Sequence, residues 1–137
     1  MNAAIQAYLA RHVAVVLCAE VEVVVTQMIN QRVALCGDAP VTNFLRSVRG
    51  NLIRNAKAQE IGDKLAHFGA DFKDRYQKQI DDTIGAAGIG KLSIAISKRD
   101  DASHSTPPDI TFKDVEDAYY AALGVVEAVR IALVLPE

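Results

Sequence analysis

The spacing of apolar residues predicts helices along the whole chain. The first segment, from Asn2 to about Leu35, is apolar on nearly every helical face. Such a helix lies at the centre of a bundle, or has one face in the bundle and another against a partner chain. Asn2 is suited to cap its start and Gly37 to end it. The run from Val23 to Val25 would favour a strand, but no turn or second alternating segment supplies a partner strand.

A short helix is expected next. Asp38 to Pro40 should break the chain, and the helix should begin at Thr42 or Asn43. It should run through Arg49, because Gly50 is suited to close it.

Two amphipathic segments follow in the middle of the chain. Asn55 is suited to cap a helix that ends at Gly69, with apolar positions at steps of four and three residues, at Ile61, Leu65 and Phe68. The charged segment from Asp71 to Asp82 has a narrow apolar seam at four-residue spacing, at Phe72, Tyr76 and Ile80. Both patterns are typical of helices that lie on the surface of a bundle.

The glycine-rich stretch from Ile84 to Gly90 leaves two possibilities open. Each of its three glycines lowers helix propensity by about 1 kcal/mol relative to alanine. Either a loop runs to Gly90, or small residues let two helices approach each other closely. An apolar helix then leads to Arg99.

The last segment is expected to form a second long helix. Pro107 and Pro108 enforce an extended connection, and the helix should begin at Asp109 or Thr111, where Thr111 and Asp114 resemble a capping box. Its buried face should consist of Val115, Ala118, Tyr119, Ala122, Val126, Val129 and Leu133. The sequence therefore predicts an all-α helical bundle, a single domain over residues 1–137, with long first and last helices.

Composition narrows the class of protein. A chain of 137 residues with 50% hydrophobic residues is one ordered globular domain. Glu20 and Glu22 interrupt the apolar run of the first helix, and carboxylates near a bilayer centre cost a few kcal/mol each, so a membrane span is not expected. Cys18 and Cys36 show neither metal-site nor disulfide spacing. With no features of a signal peptide at the start, this predicts a cytoplasmic protein.

One stretch of the chain is basic, although the formal net charge is −2. No acidic residue occurs from Ala39 to Gln59, whereas four basic residues do, namely Arg46, Arg49, Arg54 and Lys57. A local basic patch on an acidic body is a candidate surface for nucleic acid. Together with Lys98, these residues are the predicted contacts to RNA.

The strongest candidate for chemistry is the pair Arg99 and His104, five positions apart after an apolar helical run. A guanidinium that is always charged and an imidazole that exchanges a proton near neutral pH suit cleavage of a phosphodiester. Asp100 either orients one of them or is a solvated turn residue. His12 and His67 have no partners at metal-ligand spacing, and no Walker-type phosphate loop is present. Neither a metal nor another cofactor is predicted.

The segment from Leu92 to Ser105 and the helix after it resemble the closing half of a HEPN domain. The signature of that family is an arginine, a polar residue and, a few positions later, a histidine. Residues 17–29 and 55–71 resemble the first helix and the middle of its RiboL-PSP-HEPN-like branch, so the resemblance covers most of the chain. Asp100 stands where the family most often has asparagine, and Ser105 where it often has glycine.

The resemblance implies a metal-independent endoribonuclease. His104 would act as general base or acid, Arg99 would stabilise charge on the phosphate, and Glu22 would be the acidic residue of the first helix, with Glu20 as the alternative. A carboxylate inside a bundle needs a cation, and the obvious one is Arg99, so Glu22 is expected near Arg99. Because one histidine does not easily serve both the entering and the leaving oxygen, two motifs are expected to meet in a homodimer. A toxin, defence or RNA-processing role is implied, with an antitoxin or a nucleotidyltransferase as partner. The alternative is a non-catalytic module that binds a nucleotide or a partner protein.

Overall fold

A computed structural model describes residues 2–48, 52–101 and 110–136. These residues form an all-α bundle and contain no strand. The helices are α1 (Ala3–Ala34), α2 (Ala39–Val48), α3 (Ala58–Leu65), α4 (Ala70–Thr83), α5 (Gly85–Asp101) and α6 (Phe112–Ala132), and a 3-10 turn (Ala66–Phe68) follows α3. The predicted helical bundle with long first and last helices is confirmed, because α1 has 32 residues and α6 has 21.

Helix α1 begins and ends where its capping residues predict. The side chain of Asn2 accepts a hydrogen bond from the amide of Ala4 at 2.7 Å, and Gly37 follows the helix with a φ of 73°. Its buried positions form a single stripe, Ala10, Ala14, Cys18, Val21, Val25 and Ile29. One chain therefore covers only one face of α1, and the opposite face is exposed.

Helix α1 also meets the length and hydropathy criterion for a helix that crosses a membrane. An 18-residue window has a mean hydropathy of 1.7, and 28% of that window is buried in the bundle. The core helix of a bundle and a signal sequence meet the same criterion, so this is weak evidence. Arg11, Glu20 and Glu22 all lie on this helix, and each would be costly at the centre of a bilayer.

Helix α6 runs parallel to α1 and antiparallel to α5. Arg32, near the end of α1, donates a hydrogen bond to the carbonyl of Leu133, just past the end of α6. Lys91 in α5 pairs with Asp117 in α6 at 3.2 Å. Ile84 precedes Lys91 in the chain but contacts Gly124, which follows Asp117, so the two helices run in opposite directions. The end of α5 therefore lies beside the starts of α1 and α6. We call this the motif end, because Arg99 of the predicted Arg99–His104 motif lies near the end of α5. The core of the motif end is a cluster of Ala10, Ala14, Ala95, Ile110, Val115 and Ala118.

Helix α2 begins at Ala39, earlier than predicted. The reason is Asp38, whose side chain accepts a hydrogen bond from the amide of Val41 at 3.0 Å and so satisfies an amide of the first turn. Pro40 lies in that first turn, where its missing N–H costs no helical hydrogen bond. The expected break at Asp38 to Pro40 was therefore wrong for Ala39 and Pro40.

Asn55 was predicted to cap the helix that ends at Gly69, and this prediction was partly wrong. Its side chain accepts a hydrogen bond from the amide of Lys57 at 2.9 Å and caps a turn, and α3 begins only at Ala58. The predicted end of the segment is confirmed, because the 3-10 turn closes at Phe68 and Gly69 has a φ of 141°.

The stretch from Ile84 to Gly90 is helical, which is the second of the two possibilities left open. Helix α5 starts at Gly85 with a φ of 67°, directly after α4. The side chain of Ile84 is packed against both Gly88 and Gly124. Small residues therefore allow α5 and α6 to approach each other closely.

The start of α6 is the predicted capping box. The side chain of Thr111 accepts a hydrogen bond from the amide of Asp114, and the side chain of Asp114 accepts a hydrogen bond from the amide of Thr111. The predicted buried face is confirmed at Val115, Ala118, Ala122, Val129 and Leu133, and Val126 is half-buried. Tyr119 was wrongly placed on it, because 47% of its surface is exposed beside the uncovered face of α1.

Candidate functional site

Arg99 lies in the last turn of α5, which ends at Asp101. The antiparallel arrangement of α5 and α6 places this turn at the motif end. His104 lies outside the described residues, as do the side chains of Lys98, Arg99 and Asp100. The proximity of Arg99 and His104 therefore stays a prediction.

Several apolar side chains are exposed on the described surface near the motif end. Ala95 belongs to the same core cluster as Ala10, so Arg99, one turn further along α5, is level with the first turns of α1. Exposed apolar side chains surround this level, at Ile5, Tyr8 and Phe112. The guanidinium of Arg11 lies 5.6 Å from the ring centroid of Tyr8. A cation is therefore held beside this apolar surface by a cation–π contact.

Glu22 is half-buried on α1, but not at the level of Arg99. The neighbouring residues Val21 and Val24 line a groove with Ala122 of α6, and the part of α5 at this level is its start, near Gly88. Arg99 lies eleven residues beyond Gly88, about 16 Å along the helix. The helix register thus separates Glu22 from Arg99, whereas the sequence interpretation had paired them. Glu20, the alternative carboxylate, is exposed, lines the same groove and lies no closer to Arg99.

Of the predicted RNA-binding residues, Lys98 precedes Arg99 on α5, whereas Arg46, Arg54 and Lys57 lie at the other end of the bundle, which we call the far end. Arg46 is exposed in the last turn of α2, and Arg54 and Lys57 are exposed just before α3. Arg49 lies outside the described residues. From the register of α5 and α6, the far end is about 35 Å from the backbone of Arg99. The structure therefore does not join the basic residues of the far end and Arg99 in one continuous site.

A groove of about 250 Å³ lies at the far end, between α1, α2 and the turn after α3. Its lining includes Val33, Leu45, Leu52, Lys64, His67 and Phe68. The lining is apolar apart from two polar side chains, a cation and an imidazole. The groove was not predicted, because its lining comes from four separate segments of the chain.

A second cleft, of about 410 Å³, lies along α5 and α6. Asp117 at its edge receives hydrogen bonds from Lys113 at 3.0 Å and Lys91 at 3.2 Å, and these two bonds lower the pKa of its carboxyl. Two lysines thus share one carboxylate across the α5–α6 contact. The arrangement is an exposed ion-pair network, of a kind that contributes little to stability and offers no group for proton transfer near neutral pH.

Two further results bear on the site. Within residues 2–48, 52–101 and 110–136, no group of three or more histidine, cysteine, aspartate or glutamate side chains is placed to hold a metal ion. Comparisons of the chain with protein-family models, with curated proteins and with solved structures gave no match.

Proposed function

We propose that this protein is a metal-independent endoribonuclease of the HEPN kind, in which Arg99 and His104 act on an RNA phosphate. The observation that carries the proposal is the position of Arg99 in the last turn of α5, at one end of an all-α bundle. His104 follows the end of α5 by three residues and lies on the connection to the capped start of α6. Three residues of chain span at most about 11 Å, so the covalent chain alone limits the distance of His104 from the end of α5.

The proposed reaction uses the 2′-hydroxyl of RNA as the nucleophile. His104 removes the hydroxyl proton or delivers a proton to the leaving 5′-oxygen, which contributes roughly 10²–10⁴-fold to the rate. The 2′-oxygen forms a bond to phosphorus as the bond to the 5′-oxygen breaks, giving a 2′,3′-cyclic phosphate and a 5′-hydroxyl. The guanidinium of Arg99 stabilises the negative charge that builds on the non-bridging oxygens.

The position of Arg99 suits this role electrostatically. Carbonyls at the end of a helix carry partial negative charge, so a cation is favoured in the last turn of α5. A guanidinium stays protonated at any physiological pH, so it remains available for phosphate. The proposal assigns no role to Glu22 or Glu20, because both lie at a different level of the bundle.

A second copy of the chain completes the proposed site. Each chain has one motif histidine, and two histidines can serve the entering and the leaving oxygen separately. Exposed apolar side chains at the motif end, Ile5, Tyr8 and Phe112, support contact with a second chain there. A cytoplasmic toxin, defence or RNA-processing role, with an antitoxin or a nucleotidyltransferase as partner, belongs to the same proposal and rests on the family resemblance.

The test is incubation with single-stranded RNA in EDTA. We expect wild type to yield products with 2′,3′-cyclic phosphate ends, and His104→Ala and Arg99→Ala each to reduce the rate by about 100-fold or more. Lys78→Ala, at an exposed position of α4, is the matched control and should cleave like wild type. Cleavage that survives in His104→Ala would refute the assignment, and tight RNA binding without any turnover would favour the non-catalytic module.

A further inference from the structure

The groove at the far end combines an apolar lining with one lysine and one histidine. Leu45, Leu52 and Phe68 belong to the apolar lining, and Lys64 and His67 are its polar side chains. Lys64 forms no ion pair with any residue that the structure describes. Its neighbour Asp63 is paired with Lys73 at 2.7 Å.

Additional cations lie next to this groove. Arg46 follows Leu45 on α2, and Arg54 follows Leu52 by two residues. Glu60, one turn before Lys64 on α3, accepts a hydrogen bond from the amide of Arg54 at 3.3 Å. In the part of the chain that is described, neither Arg46 nor Arg54 has an ion-pair partner. Arg46 and Arg54 are exposed near the groove without forming part of its lining, so they can contact an anionic ligand that extends beyond the groove.

The chemistry of the groove favours a nucleotide as its ligand. The groove has a volume of about 250 Å³ and shares Val33, Leu45 and Phe68 with an adjoining apolar groove of about 460 Å³. An apolar lining with an aromatic ring accepts the face of a base, and the flanking cations suit its phosphates. This is the combination used by proteins that bind single strands.

We propose that the groove anchors one nucleotide of a single-stranded RNA far from the site of cleavage. This proposal rests on the proposed ribonuclease function for its link to Arg99, but the groove itself binds RNA whether or not the protein cleaves it. A strand that occupies both places must span about 35 Å, which is roughly ten stacked nucleotides at 3.4 Å each. Short RNAs reach only one of the two places.

The binding test uses a cleavage-deficient His104→Ala chain and a fluorescein-labelled single-stranded RNA of 14 nucleotides. Adding Lys64→Glu should weaken binding about tenfold, the size of one charge-assisted hydrogen bond. It should also reduce the slope of log affinity against log salt by about 0.7 for the lost phosphate contact. Lys78→Glu is the matched control, and Lys64→Gln, which keeps a polar side chain of similar length, guards against misfolding, with helicity checked by circular dichroism.

The cleavage test separates the two places. With otherwise wild-type protein, Lys64→Glu should raise KM for the 14-nucleotide RNA about tenfold with kcat unchanged, and leave kcat/KM for a 4-nucleotide RNA unaltered. Equal weakening by Lys64→Glu and Lys78→Glu in the binding test would overturn the anchor. The anchor would also be overturned if poly-glutamate competed with the labelled RNA as strongly as unlabelled RNA does. Wild type that binds through Lys64 but cleaves no RNA would refute the proposed function alone.

Discussion

The side chain of Ile84 occupies the space beside Gly124, so that a β-carbon on Gly124 would lie 2.6 Å from Cγ1 of Ile84. Gly88 borders the same side chain from within α5. Two glycines thus make room for one isoleucine at the contact between α5 and α6. Because α6 is also packed against α1 and α4, this contact helps to fix the position of α5 and of Arg99 at its end.

We expect Gly124→Ala to lower the free energy of unfolding by about 1–3 kcal/mol, because the added methyl group overpacks the contact with Ile84. Gly90→Ala is the matched control. A β-carbon there would meet nothing within 4 Å, and alanine is the better helix former, so stability should rise by up to about 1 kcal/mol. Urea unfolding measures both changes. If Gly124→Ala were as stable as Gly90→Ala, Ile84 would be free to move aside.

Arg75 joins α4 to the end of α6. Its guanidinium donates hydrogen bonds to the carbonyl of Ala132, from Nη2 at 2.9 Å and from Nε at 3.3 Å, and lies 4.5 Å from the ring centroid of Phe72. The last carbonyls of a helix have no partner within the helix, so Arg75 satisfies one of them. The guanidinium of Arg32 lies 5.4 Å from the centroid of the same Phe72 ring, and it donates a hydrogen bond to the carbonyl of Leu133.

We therefore expect Arg75→Ala to destabilise the fold by about 1–2 kcal/mol, as measured by urea unfolding. Arg75→Lys keeps the charge but loses the paired hydrogen bonds, so it should recover only part of that loss. Lys78→Ala, on the exposed surface of the same helix, should change stability by less than about 0.5 kcal/mol. A lysine variant as stable as wild type would show that the charge alone matters at this position.

Tyr76 makes stability depend on pH. It is buried, and its hydroxyl donates a hydrogen bond to the carbonyl of Ala58 at 2.9 Å. Burial raises the pKa of Tyr76 above its ordinary value of 10.0. Above about pH 10 the unfolded chain loses this proton while the folded chain keeps it, so stability falls as pH rises through this range.

The Tyr76→Phe variant tests this expectation. At pH 8 it should be less stable than wild type by about 1 kcal/mol, because the carbonyl of Ala58 loses its partner. Above pH 10 that difference should shrink by up to about 1.4 kcal/mol per pH unit, because phenylalanine does not titrate. Thermal or urea unfolding at pH 8, 10 and 11 gives the comparison. A difference that stays constant with pH would mean that Tyr76 ionises equally in both states.

Much of the fold could be predicted because its determinants are local. Asn2, Gly37 and the pair Thr111 and Asp114 cap helices through residues two or three positions away, and the sequence displays such patterns directly. The start of α2 was missed because Asp38 fits both a break and a cap. Local chemistry does not decide between these two roles.

The candidate site was predicted less well because it depends on how helices are oriented. Pairing Glu22 with Arg99 follows from charge alone, yet α5 runs antiparallel to α1 and carries Arg99 away from Glu22. The far-end groove could not be predicted either, since Val33, Leu45 and Phe68 meet only in the tertiary structure. Charge and composition identify candidate groups, and the register of the helices decides which of them meet.

The exposed face of α1 leads to a prediction about assembly. Its exposed apolar residues run along the helix, at Ile5, Tyr8, Val13, Val15, Val16 and Val23, and Tyr119 and Leu123 of α6 continue the surface. His12 and Glu20 are also exposed on α1, but a row of exposed apolar residues along one helix is uncommon on a monomer and typical of an interface. We expect the protein to sediment as a homodimer at micromolar concentration.

Val16→Glu tests this assembly, because it places a charge at a position that is 52% exposed in the single chain and buried in the expected dimer. We expect it to raise the dimer dissociation constant at least tenfold, whereas Gln59→Glu, at an exposed position on α3, should leave it unchanged. Wild type that sediments as a monomer, or binds phosphatidylcholine vesicles in place of a second chain, would contradict the dimer.

A mixing experiment tests whether two motifs share one cleft. When wild type is mixed with excess His104→Ala chain, the activity should fall by more than the fraction of mutant chain, because mixed dimers keep only one of two histidines. Activity that falls only in proportion to the mutant fraction would show that each motif works alone.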